Sequence, residues 1–247
     1  MRASASIVAE ANGTGGTRLT TLRGESPLLL RRTGVRGDAT GVVTVHLVGG
    51  AAGPLRGDDV ALSITVGPGA RLAVRSVAAQ LALPGRPDLP PSRFVVTASV
   101  AAGAALLWAP EPLIAAAGCH HLAVADVSVA EGGFLAWRDD LVCGRHAERP
   151  GDVRTAVTIR YAERTLYRHE LAVGPGAPGW SGAAVLGDAG ALGMLVLACA
   201  DAAEVPVTRP TGEAAVLPLA GPGLLATAAA RDIRDVRAAL DPLTVLR

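Results

Sequence analysis

The sequence predicts a mainly β protein: stacked β-hairpins forming an elongated β-structure, closed by one helix near the C-terminus. Three observations carry that expectation. Val60, Leu62, Ile64 and Val66 alternate with Ala61, Ser63 and Thr65, the period-2 pattern of a half-buried strand. Leu72 and Val74 resume the pattern after Gly67-Pro68-Gly69, which reads as a hairpin. The second observation is recurrence. VGPGARLAV at 66–74, VAAGAALLW at 100–108 and VAEGGFLAW at 129–137 share the form V-x-x-G-[AG]-x-L-x-[VW]. Their separation of roughly 30 residues suits one supersecondary unit per repeat; chance agreement among Gly turns is the competing reading. The third is composition. Half the residues are apolar but only 3% are aromatic, so Ala, Val and Leu must build the core.

Along the chain, strand-like runs fall at 3–9, 17–22, 28–33 and 42–48. After the repeat region, which also includes runs at 94–101 and 122–129, they continue at 154–161, 166–173, 191–200, 205–208 and 214–219. The helix lies at 231–240, where Ile233, Val236 and Leu240 share one face and Asp241-Pro242 ends the element. The loop PGRPDLPPS at 84–92 is too short to separate domains, so 1–247 reads as a single domain.

A net charge of +1 argues against a nucleic-acid partner. Three scattered cysteines are not a disulfide framework and read as reduced cytosolic thiols. No signal peptide is evident, and the apolar run at 192–200 is too short to span a bilayer. Mean hydropathy of +0.37 reads either as apolar surface that a partner covers or as Ala enrichment from base composition. The second reading is supported by the basic residues, all 23 of which are Arg.

Candidate chemistry is sparse. Gly13-Thr-Gly-Gly-Thr17 lacks the Lys a P-loop needs and reads as a turn. Ser181 in GWSGA has the wrong spacing for a nucleophile elbow, although a small hydrolase using it is the rival reading of function. Cys119, His120 and His121 are the best metal-like group. On an extended segment Cys119 and His121 would share a face, a thiolate and imidazole set suited to Ni²⁺ or Zn²⁺, with Cys143 and His146 as further ligands if the fold brought them near. The economical alternative is a buried reduced cysteine beside surface histidines. Asp139, Asp140, Arg145, Glu148 and Asp152 cluster about a Gly turn, as a polar channel, an interface or a solvated loop tip.

The stretch LVGGAAGPLRGD at 47–58, then VGPGA at 66–70 and RSVAAQ at 75–80, resembles the signature region of the UreD family of urease accessory proteins. The likeness extends to GTRL at 16–19, PLLLR at 27–31, PEPLI at 110–114, DLVCGR at 140–145 and the end, 221–247. RSVAAQ stands where the family tends to have TTQAATK. The family's Gly-Glu after the G-R element is replaced here by HAERPGD, which leaves its acidic role to Glu148 or Asp152, or to neither. The resemblance implies stacked strands with about two helices and cytoplasmic action beside urease. It also implies binding to UreF, recruitment of the GTPase UreG, docking on apo-urease and passage of Ni²⁺ as transient cargo through an internal tunnel, with no tightly bound cofactor. On that reading the chain is a non-enzymatic chaperone. Asp58, Ser76, Asp140, Arg145 and Glu148 are its ion-path candidates, and Cys119 and His121 at most touch nickel in passing. A metal-free β-solenoid adaptor is the third reading.

Overall fold

In the computed structural model, described for residues 1–34, 40–201, 214–244 and 246, seventeen strands form two sheets that face each other across an aliphatic core. The strands are β1 Arg2–Ala11, β2 Thr17–Arg23, β3 Leu28–Thr33, β4 Val43–Gly49, β5 Asp59–Val66 and β6 Arg71–Ser76. They continue with β7 Gln80–Ala82, β8 Ser92–Val100, β9 Ala105–Ala109, β10 Leu113–Ala115, β11 His120–Val129 and β12 Phe134–Val142. The last are β13 Asp152–Tyr161, β14 Arg164–Val173, β15 Ala191–Ala198, β16 Ala214–Pro218 and β17 Gly223–Ala230. One sheet runs β14-β13-β11-β8-β5-β1-β2; the other runs β16-β17-β15-β12-β9-β6-β4-β3, with β7 and β10 attached beside β12. The expected strand at 205–208 lies outside the described residues.

The repeat is real and stacks in register. Val66 pairs with Val100 and Val100 with Val129 in the seven-stranded sheet, all parallel. Val74 pairs with Trp108 and Trp108 with Trp137 in the larger sheet. The turn glycines Gly69, Gly103 and Gly132 all adopt φ near +70°, a conformation that costs a side-chain-bearing residue steric strain. One feature differs from the hairpin expectation. The two limbs of each unit do not pair with each other; each turn carries the chain from one sheet to the other. The reason is burial. Strand β9 is buried at every position, and β6 is buried on both faces in its middle. A strand buried on both faces needs cover on both, and here β6 and β9 lie beside like strands of neighbouring units in one sheet while facing the other sheet.

Val60, Leu62, Ile64 and Val66 face inward as their alternation predicts. The helix α1, Ile233–Leu240, starts at Asp232, whose side chain accepts from the Arg234 N–H, and buries Val236, Ala239 and Leu240 against β15 and β17. A short 3₁₀ turn, Asp241–Leu243, follows with Pro242 in it. Most of the run at 192–200 belongs to β15, Ala191–Ala198, a buried central strand, and among the described residues no helix is long and apolar enough to cross a membrane.

Candidate functional site

At the end of the sandwich away from the Gly turns, the sheets part around a cavity of about 760 Å³. Phe94, Val96 and Ala125 form part of one wall, and Trp108, Trp137 and Met194 part of the other. Val77 and Val185, both about half exposed, also line it and mark where it reaches the surface.

The most unusual group on the wall is Asp139. Strand alternation puts Trp137 and Asp139 on the same face of β12, and the repeat stacks Trp108 on Trp137 with ring centroids 4.9 Å apart and planes 13° from parallel. Both indoles aim at the carboxylate. Trp108 Nε1–H donates to Oδ1 at 3.0 Å and Trp137 Nε1–H to Oδ2 at 2.6 Å. Burial pushes the Asp139 pKa up, the two indole hydrogen bonds oppose that rise, and the neighbouring Asp140 adds to it. Tyr167 on β14 also lines the cavity; burial and then the charge of Asp139 raise its phenol to about 12, and its hydroxyl donates to Met194 Sδ at 3.5 Å.

The other acidic residues of the wall are already paired. Asp58 is buried, accepts the Leu55 N–H at 2.9 Å across its own turn, and binds the amino group of Met1. Asp140 takes the buried Arg138 guanidinium through Nε at 3.1 Å and Nη2 at 2.9 Å, and that guanidinium also reaches Asp241 and Thr244 beyond α1. Burial pushes Asp140 up while Arg138 opposes it. Glu111 is held by Arg237 of α1. Among the described residues, Asp139 is thus the one acidic side chain on the wall with no cationic partner.

Of the five ion-path candidates, Asp58, Ser76 and Asp140 line the cavity. Ser76 donates to the Ala78 carbonyl at 2.8 Å and accepts the Glu111 N–H at 2.9 Å, which fixes the lip of the opening. Arg145 and Glu148 do not line it. They clasp each other across a turn, through Nε at 2.8 Å and Nη2 at 2.6 Å, and that contact holds Glu148 down at about 2. Cys119 and His121 are both buried. Cys119 Sγ faces the Asp152 carbonyl at 3.8 Å, and burial pushes the thiol up to about 11. His121 Nδ1 meets Ser92 Oγ at 2.9 Å while Nε2 has no partner, and burial lowers the ring to about 4. The surface-histidine alternative therefore fails at His121, whose strand face is the interior. Among the described residues no group of three or more His, Cys, Asp or Glu is placed to hold a metal ion. Ser181 sits exposed in a run of turns.

In the sequence Asp139 stands out only as part of a charged patch, and the two tryptophans only as positions of the repeat. The signal was present: Trp137-x-Asp139 puts the pair on one strand face, and the repeat stacks Trp108 beside them.

The fold is of one class, two facing sheets of stacked, mostly parallel repeat units with a cavity between them. The comparisons make the class specific. The family description "UreD urease accessory protein" matches residues 1–247. The urease accessory protein UreD of Streptomyces avermitilis is 44% identical over 244 residues, covering 98% of this chain and 95% of the relative. UreD 3 of Streptomyces griseus is 43% identical over 245 residues, with the same coverage of both chains. UreD of Frankia casuarinae is 41% identical over 281 residues, covering 98% and 88%. The chain belongs to the UreD family of urease accessory proteins.

Proposed function

We propose that the chain is a non-enzymatic chaperone of urease metallocentre assembly, acting in the cytoplasm. It scaffolds UreF, and through it the GTPase UreG, on apo-urease, and its cavity is a passage for Ni²⁺ as cargo. The observation that supports this reading most is the cavity carboxylate Asp139, which is oriented by two neutral donors and has no cationic partner among the described residues. A carboxylate in an enclosed, poorly hydrated space attracts a divalent cation strongly, because water screens it less. A passage also needs weak, oxygen-rich contacts, since a tight Cys/His cage would trap the ion. Asp58 and Asp140 contribute less charge than their number suggests, because the Met1 amino group and Arg138 already offset them.

The test is urease activation in cells that express the full accessory set. Asp139→Asn is expected to leave the complex with UreF intact and to lower activation and nickel content of urease on the order of tenfold, the scale on which charged clefts concentrate ions. Excess nickel should partly restore it. The Asn amide sets an N–H₂ against one indole N–H, so thermal melting of the variant complex belongs beside the activity. Asp140→Ala is the contrast. It strands a buried guanidinium, and its activity loss should track a stability loss of about 3–5 kcal/mol. Full nickel content of urease with Asp139→Asn would remove the cavity from the reading.

A further inference from the structure

The walls of the cavity are mainly hydrocarbon. Val96 on β8, Ala125 on β11 and Val157 on β13 are register neighbours in the seven-stranded sheet, and all three line it. Across the space, Asp139 pairs in register with Met194 on β15, and Met194 with Thr227 on β17. Register partners project from one face of a sheet, so Asp139, Met194 and Thr227 form a single row on the opposite wall. The Thr227 hydroxyl donates to the Gly193 carbonyl at 3.1 Å, and the Tyr167 hydroxyl to Met194 Sδ at 3.5 Å. Both hydroxyl hydrogens are thus used within the wall, and what these groups still offer an occupant is lone pairs.

These groups select one kind of ligand. Both indole N–H groups donate to Asp139, which favours its ionised form. No arginine is among the described residues that line the cavity, the chain has no lysine, and the lining His169 is exposed on β14. An anionic ligand would meet a carboxylate there and no enclosed cation. A neutral one would leave that carboxylate without a counter-charge, which is unfavourable in an enclosed space. A small ion satisfies the charge but leaves the hydrocarbon walls against water, at a cost that grows with their area. A cavity of about 760 Å³ is of the size that holds a small organic molecule, with apolar walls giving affinity and a few polar groups fixing orientation.

We propose that the cavity is a binding site for a lipophilic amine, its ammonium head on Asp139 and its hydrocarbon body between Met194 and the Val96–Ala125–Val157 row. The ammonium donates to the carboxylate, and the Tyr167 and Thr227 oxygens are further acceptors on the same side of the molecule's head. Such an occupant fills the space that the nickel reading gives to the ion, so the two exclude each other. The inference rests on the cavity's walls and its one cation-free carboxylate, not on the nickel reading.

The probe is diphenylpropylamine, beside the alcohol and the carboxylic acid of the same skeleton, titrated calorimetrically into the full chain with no nickel present. The amine is expected to bind about tenfold tighter than the alcohol, the scale of one hydrogen bond to a charged group, and the acid more weakly than either. Asp139→Asn should bring the amine down to the alcohol's affinity and leave the alcohol unchanged. Ala125→Leu, which extends a side chain into the cavity, should weaken amine and alcohol alike. If Asp139→Asn fails to fold, the order amine, alcohol, acid in the native sequence carries the test. Equal affinity for the three would mean that the walls bind without the carboxylate, and the proposal falls. It falls equally if the amine's advantage survives Asp139→Asn, or if Ala125→Leu changes neither affinity, since the amine would then sit elsewhere on the surface. These readouts contain no nickel and no urease, so this proposal and the nickel passage can each fail alone.

Discussion

At the scale of single residues, buried His121 and part-buried Asp139 separate folding from function. His121 is buried, with Nδ1 on Ser92 and Nε2 unpartnered, and it titrates near 4 in the folded chain against 6.5 in the open one. Between those values the unfolded chain binds the proton and the folded chain does not, so stability falls as pH drops through this window. The full effect is on the order of 3 kcal/mol. Denaturant melts from pH 7 to 4 should show that slope in the native sequence and a flatter one in His121→Gln. An unchanged slope would assign acid sensitivity elsewhere. Glu148 and Asp232, both held near 2 by arginine, act in a lower window, losing their contribution only as pH falls below ordinary carboxylate values. Asp139 differs from all of these, because neutral indoles, and among the described residues no cation, hold it.

At the scale of elements, glycines mark two different constraints. Gly132 turns a repeat unit from one sheet to the other at φ 76°, and a Cβ there would meet open space. Gly132→Ala should cost only the left-handed backbone penalty, about 1 kcal/mol. Gly193 on β15 is the opposite case. A Cβ there would come within 2.5 Å of Val236 Cγ1, 2.6 Å of Asp140 Oδ1 and 2.7 Å of Leu240 Cδ1. Gly193→Ala should therefore lift α1 from the sheet and cost about 1–3 kcal/mol. Thermal melting would read the cost of both variants. Limited proteolysis would show early release of the C-terminal helix in the second alone; equal protection in both would mean that the helix accommodates the methyl group.

At the scale of the molecule, the apolar surplus is mostly internal. Among the described residues the large apolar side chains that remain exposed are Met1, Leu22, Val77, Val185 and Leu217, and two of these, Val77 and Val185, rim the cavity mouth. Exposed apolar lips around an opening invite association. The isolated chain is expected to self-associate in light scattering and to become monodisperse with UreF. Val77→Ser combined with Val185→Ser should reduce the self-association. A monodisperse wild-type chain at high concentration, alone, would count against this role for the lips.

The sequence by itself determined the strand class, the repeat, the C-terminal helix and the family. Alternation and Gly-turn spacing are local, and a side chain's face follows from its position along one strand, as for Val60 to Val66. What it could not determine was where each limb finds its partner. A strand, a Gly turn and a strand read alike whether the limbs pair together or join two sheets. Only long-range burial, as in the wholly buried β9, separates the two. The site divides the same way. Asp58, Ser76 and Asp140 were legible as polar residues near turns, but the Met1 amino group and Arg138 reach two of them through distant contacts. The clamp on Asp139 exists because the stacked repeats superpose Trp108 on Trp137, and the tertiary structure alone decided that their N–H groups converge on one carboxylate.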